Sequence, residues 1–150
     1  MRIFVGLVLV GLALSCESPL QKEERARLEL YDRLTQDARL ALSEGQAKRA
    51  VSLLQKAVGQ FPADANLHIS LAEAYQAAGN DAAAILSLKQ AEELLGEIDP
   101  SLMRSLAELY KRTKQMKNAI LQFSRLRDRG LLTENELLEL ADMLSKNGQS

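Results

Sequence analysis

The stretch ANLHISLAEAYQAAGNDAAAILSLKQAEELLGEID, residues 65–99, reads as helix, short turn, helix, and its small residues recur along the chain at one fixed period. Ala38, Ala72, Ala107 and Ala141 are spaced by 34, 35 and 34 residues. Ala50, Ala84 and Ala119 follow the same steps, as do Ala57, Ala91 and Leu126, and Gly45, Gly79 and Gly148 keep the same phase. Every series slips by one residue at the same place, so a single insertion between Ala91 and Met103, most simply in GEIDP (96–100), accounts for all of them. A period in this range marks an array of supersecondary units that bury their apolar faces against one another.

Composition agrees. The 150 residues contain 29 Leu and 20 Ala against 13 Val, Ile and Thr together, which favours helices and excludes an all-β fold. One Cys precludes an internal disulfide and any Cys-cluster metal site, and a formal charge of −1 provides no global attraction for nucleic acid or an anionic surface.

The period and the small residues at the eighth, twentieth and twenty-seventh positions of each unit resemble the tetratricopeptide repeat. Tyr75 and Tyr110 stand at the aromatic position of the first helix, and Phe123 at the large position of the second, taken by Leu54 and Leu88 in the preceding units. Pro62 ends the first unit where the family places its Pro. The resemblance implies an all-α helix-turn-helix solenoid of about three and a half repeats. Its units run 31–64, 65–99 and 100–133, followed by a final helix over 134–147 within a helical domain spanning 19–150. Three departures stand out: no unit has Trp at the fourth position, where Leu34, His68, Met103 and Leu137 stand; Asp37 replaces the usual Leu; and Lys114 replaces the turn Gly of the third unit.

Capping signals place the helix starts. Ser18-Pro19-Leu20-Gln21 combines an N-cap Ser, Pro at the first helical position and a Gln three residues on, so the first helix starts near Pro19. Leu20, Leu28, Tyr31, Leu34, Ala38 and Ala41 continue one apolar stripe along it. Asp99-Pro100 and Thr133-Glu134-Asn135-Glu136 open later helices in the same way.

Residues 1–16, MRIFVGLVLVGLALSC, carry one positive charge at Arg2, an apolar run over 3–14 and small Ser15 before the only Cys. That order is a secretory signal peptide, and the apolar run is short of the roughly 20 residues that a membrane-spanning helix needs. Ala13-Leu14-Ser15-Cys16 resembles the lipobox of bacterial lipoproteins, which implies a diacylglyceryl group on Cys16 and cleavage before it. Ala13-Leu14-Ser15 also satisfies the small-x-small rule for an ordinary secreted protein, and both readings stand at this point. With lipidation, residues 1–15 are the signal peptide and 16–18 a short linker, so the helical domain rides close to the membrane. Glu17 is acidic, a feature that retains some lipoproteins at the inner membrane; Asp is the stronger signal, which points to the outer membrane, facing the periplasm.

No catalytic constellation is present: His68 is the only imidazole, so His-dependent triads and His-based zinc sites lack members, and no Gly-rich phosphate loop occurs. The chain is expected to be no enzyme and to carry no cofactor or metal beyond the lipid. The family resemblance implies a concave groove lined by first helices: Asp32, Thr35, Arg39 and Leu42, then Asn66, Ile69, Glu73 and Gln76, then Ser101, Arg104, Glu108, Lys111 and Arg112, closed by Leu138, Asp142 and Ser145. Within it, Asn66, Ile69, Glu73, Gln76, Arg104, Glu108, Lys111 and Arg112 are the candidate partner-binding residues. Glu73 and Glu108 stand where the family's carboxylate clamp needs Asn, so that clamp is not expected. The expected role is a membrane-anchored scaffold for an envelope protein or peptide segment in pilus, secretin, outer-membrane or cell-wall machinery. The alternative is a homo-oligomeric spacer paired through the apolar final helix; nucleic acid is not an expected partner.

Charge is partitioned along the array. Residues 63–100 hold one basic and seven acidic side chains, and residues 101–130 hold eight basic and two acidic. Either the basic block, with Arg104, Lys111, Arg112, Lys114 and Lys117, attracts an anionic partner, or adjacent blocks complement each other; the second is the favoured expectation.

Overall fold

The computed structural model describes residues 18–96 and 99–148; residues 1–17, where the signal peptide and the lipidated Cys16 are expected, lie outside the described residues. Those described form helices and no strand: α1 (Pro19–Ser43), α2 (Ala47–Gln60), α3 (Ala65–Ala77), α4 (Asp81–Leu95), α5 (Pro100–Arg112), α6 (Met116–Arg127) and α7 (Glu134–Gly148). The main packing contacts run between consecutive helices, the one-dimensional arrangement of a solenoid.

Local chemistry accounts for the boundaries. Ser18 and Gln21 form a reciprocal capping box at the start of α1, with Pro19 at the first helical position. Asp64, Asn80 and Asp99 accept backbone N–H groups at the starts of α3, α4 and α5, each cap contributing about 1 kcal/mol. At α7, Thr133 Oγ1 accepts from the Glu136 N–H while the Glu136 carboxylate accepts from the Thr133 N–H at 2.8 Å.

Each unit turns on the same hydrogen-bonded loop. The N–H groups of Gln46, Asn80 and Gln115 donate back to the carbonyls of Ala41, Tyr75 and Tyr110 at 2.7, 2.8 and 2.7 Å. The preceding residue must be left-handed: Gly45 has φ 72°, Gly79 φ 76°, and Lys114, the substituted position, φ 60°. A side chain in that conformation costs roughly 1–2 kcal/mol, of which a glycine's greater freedom in the unfolded chain offsets about half. Lys114→Gly is therefore expected to stabilise the protein by about 0.5–1 kcal/mol and raise its melting temperature by roughly 2–4 °C. A lower melting temperature in thermal unfolding would contradict this account of the turn.

The recurrent small residues are where the helices meet. Ala50, Ala84 and Ala119 have no exposed surface, nor do Ala57, Ala91 and Leu126, and Ala38, Ala72 and Ala107 are no more than 1% exposed. Ala141, the fourth member of the last series, is exposed. Its counterparts are covered by the second helix of their own unit, and α7 has no such helix among the described residues. The apolar stripe of α1 divides for the same reason: Leu34, Ala38 and Ala41 are buried, whereas Leu20 and Leu28 lie on an overhang that α2 is too short to cover. The overhang's base is closed by Phe61, whose ring meets Tyr31 edge-on at 5.2 Å and lies 5.0 Å from the Arg27 guanidinium.

The core is in two parts. One joins α1, α2 and α3 around Leu54, Ala57 and Leu67; the other joins α3 to α7 around Leu106, Phe123 and Leu126. Tyr75 packs against both, and its hydroxyl accepts a hydrogen bond from Gln55 Nε2 at 2.8 Å.

Candidate functional site

His68 is buried in α3, and its Nε2 lies 3.0 Å from the Pro62 carbonyl oxygen. It fastens the loop between α2 and α3. Among the described residues no group of three His, Cys, Asp or Glu side chains could hold a metal ion, and no helix is long and apolar enough to cross a membrane.

The groove residues fall into two sets. In the N-terminal half, Thr35, Arg39 and Leu42 of α1 and Asn66 and Glu73 of α3 line one cavity of about 320 Å³. They are neighbours because groove positions recur along each first helix at three- and four-residue steps and α1 and α3 lie side by side on α2. Four further lining residues, Tyr31, Ala38, Leu54 and Leu67, supply an apolar floor, and Ser70 stands on the rim. Ser70 was legible as a groove residue from its spacing, one turn after Asn66 and three residues before Glu73; Leu54 reaches the floor from α2, which a reading of first helices does not include. Burial, followed by the Asp64 carboxylate, raises the Tyr31 hydroxyl above its ordinary pKa, so it remains a neutral donor. Ile69, on the same helix, packs into the C-terminal core instead, and Gln76 is half-buried beyond the cavity.

In the C-terminal half the groove charges are engaged within the chain. Arg104 Nε donates to Glu136 at 2.6 Å and its guanidinium also reaches the Leu131 carbonyl. Lys111 donates to Glu139 and, at 3.0 Å, to Glu108. Arg112 pairs with Asp81 at 2.7 Å, and Arg125 on α6 pairs with Glu92 at 2.7 Å. The basic third unit thus clamps the acidic second unit on one side and α7 on the other, the complementary arrangement expected of adjacent blocks. Lys114 and Lys117 remain exposed. Arg104, Lys111 and Arg112 accordingly tie neighbouring helices together at this end, with Glu108 pairing to Lys111 along α5, whereas the Asn66 and Glu73 side chains are exposed and line the cavity.

These ion pairs perturb their members. Burial lowers the Lys111 ammonium, but hydrogen bonds to Glu139 and Glu108 outweigh it and the net shift is upward. The Arg104 guanidinium holds the Glu136 carboxyl down to about 2 from an ordinary 4.5, with Thr133 adding to the effect and burial opposing it. A carboxyl whose folded-state pKa is depressed contributes stability above its unfolded pKa and loses it as pH falls through the folded value. Glu136→Gln is therefore expected to cost about 1 kcal/mol at pH 7, screening by solvent included, with the gap to the wild type closing between pH 4.5 and 2. Melting temperatures of the two proteins across that range check it, and a constant gap would contradict the assignment.

The tetratricopeptide repeat family model matches residues 41–101. No curated protein sequence matches the chain. Among solved structures it is similar to the TPR domain of Sgt2 from Aspergillus fumigatus, with 17% identity, a TM-score of 0.63, and coverage of 79% of this chain and 80% of that one. It is similar to the first TPR of Spaghetti (RPAP3) bound to the HSP90 peptide SRMEEVD, with 16% identity, a TM-score of 0.66, and coverage of 81% and 95%. The type III secretion chaperone SycD of Yersinia enterocolitica, in complex with a peptide of the translocator YopD, matches with 19% identity, a TM-score of 0.61, and coverage of 79% and 94%. The class of fold is thereby defined: an all-α, tetratricopeptide-like helical solenoid.

Proposed function

We propose that this chain is a lipid-anchored interaction scaffold of a bacterial envelope, tethered through Cys16 and holding a segment of a partner protein against the concave face of its first helices. The observation that carries the reading is the cavity between α1, α2 and α3, which places an apolar floor beneath the side chains of Arg39, Asn66, Ser70 and Glu73, none of which forms a hydrogen bond or ion pair among the described residues. Such a site suits a preformed peptide groove, where little reorganisation opposes binding. Two of the similar structures hold peptides, which supports a peptide as occupant here. The short, small-residue-terminated apolar leader and the position of Cys16 support lipidation, and the presence of Glu17 rather than Asp, the stronger inner-membrane retention residue, supports the outer membrane. The role is non-catalytic and needs no cofactor. Cross-linking capture of envelope proteins by the full chain, compared with an Arg39→Ala/Asn66→Ala/Glu73→Ala variant, tests it. A partner lost in the variant supports the reading, and an identical set of captured proteins overturns the groove as the binding surface.

A second reading is favoured by one observation. Leu137 and Leu144 of α7 are 43% and 44% exposed at positions whose counterparts in the first unit, Leu34 and Ala41, are buried. Two copies paired through this face would form a homo-oligomeric spacer, and light scattering separates this from a monomeric scaffold.

A further inference from the structure

The concave cavity carries more information than a general capacity for peptides, and the following rests on the partner-binding reading of that face. Its rim presents one cation, Arg39, one anion, Glu73, and two neutral groups able both to donate and to accept, the Asn66 amide and the Ser70 hydroxyl. None of these four side chains forms a hydrogen bond or ion pair among the described residues, and Arg39 and Glu73 do not pair with each other although they line the same cavity. In the third unit the groove charges are consumed by Glu136, Glu139 and Asp81. Arg39 and Glu73, by contrast, line the N-terminal cavity with no ion-pair partner among the described residues.

The balance of charge selects among ligands. A chain terminus carries a net charge: a free carboxylate would gain Arg39 but face Glu73, and a free amine would meet the reverse. An internal residue of an extended segment is neutral and brings both a carbonyl for Arg39 or Asn66 and an N–H for Glu73. Its side chain then packs on the apolar floor, Leu54 and Leu67 above all, beside Leu42, and a volume of about 320 Å³ accommodates an aliphatic side chain with its flanking peptide groups. We infer that this cavity is a recognition site for an internal aliphatic residue of an extended partner segment, read through its two flanking peptide groups, and that it discriminates against chain termini.

The test uses minimal probes on the full chain, labelled with ¹⁵N and kept in detergent. N-acetyl-leucine N-methylamide, which mimics an internal residue, is titrated beside N-acetyl-leucine, which mimics a C-terminus, and N-acetyl-glycine N-methylamide, which lacks the side chain. The methylamide of leucine is expected to shift the amide resonances of Arg39, Asn66, Ser70 and Glu73 and to bind roughly two- to five-fold more tightly than the carboxylate at neutral pH, with the glycine probe inactive. Glu73→Gln removes the repulsion, so the carboxylate is expected to gain on the methylamide by a similar factor. Ser70→Phe, which fills the cavity from its rim, is expected to abolish both responses, with circular dichroism confirming that the helices persist. Equal binding of the two leucine probes, an unchanged preference in Glu73→Gln, or shifts confined to another surface would overturn the inference. These outcomes are independent of the anchor and of any captured partner: a failed membrane assignment leaves the cavity result standing, and a failed probe leaves the scaffold reading to its own experiment.

Discussion

Phe123→Ala is expected to destabilise the protein by about 3–5 kcal/mol, enough to remove a large part of the 5–15 kcal/mol typical of a domain, and to do so unevenly along the chain. Phe123, on α6, is 1% exposed and belongs to the larger core cluster, with the Lys111 ammonium of α5 6.0 Å from its ring centre. Truncation leaves a void that the surrounding cluster cannot close without moving helices already in contact at Ala84, Ala107 and Ala119. Because stabilisation in a solenoid passes between neighbours, the loss is expected to fall on α5 to α7 while the cluster of α1 and α2 keeps its protection. Denaturant melts supply the magnitude and amide hydrogen exchange the location. A loss below about 1 kcal/mol, or one spread uniformly from α1 to α7, would refute the two-part core.

The other large effect concerns Cys16. If the chain is lipidated as proposed, the mature protein begins at Cys16 with acyl chains attached and partitions into detergent or membrane, and Cys16→Ala removes that anchor altogether. Each buried methylene of an acyl chain contributes about 0.8 kcal/mol, so one chain holds a protein reversibly and two or more hold it stably. Intact-mass measurement of the wild type and membrane fractionation of both proteins provide the check. An unmodified residue at position 16, or equal membrane retention of the variant, would remove the anchor from the proposed function while leaving the solenoid and its groove untouched.

Much of this architecture was legible in residue spacing. The turn residues Gly45 and Gly79 and the caps Ser18, Asp99 and Thr133 act within four residues of chain, so their chemistry can be read without knowing the fold. The alanine series was legible for a different reason: a repeat displays the same close contact several times, and coincidence at one period is visible in the sequence. Lys114 shows the limit of that reading. It departs from the family's turn Gly, yet the turn keeps its left-handed geometry because the surrounding hydrogen bonds impose it.

The site was legible only in part. The family resemblance implied groove positions for Arg39, Asn66 and Glu73, but it implied them equally for Arg104, Lys111 and Arg112, and these three, not Arg39, stood with Asn66 and Glu73 among the candidate partner-binding residues; nothing local distinguishes the two sets. Their difference lies 27 to 32 positions away, in Leu131, Glu136, Glu139 and Asp81, which reach them only once α7 and α4 are packed against α5.

By itself, then, the sequence determined the repeat, the helix boundaries, the turns and the small residues at which helices touch, because each depends on local backbone chemistry or on a contact repeated at a regular interval. Tertiary structure alone decided which groove charges are paired within the chain and which are left unpaired. It also decided that Ala141 is bare where Ala38, Ala72 and Ala107 are covered. Pairing and burial are properties of what lies opposite a side chain, and along a solenoid the opposite residue belongs to the next helix rather than to the neighbouring positions of the chain.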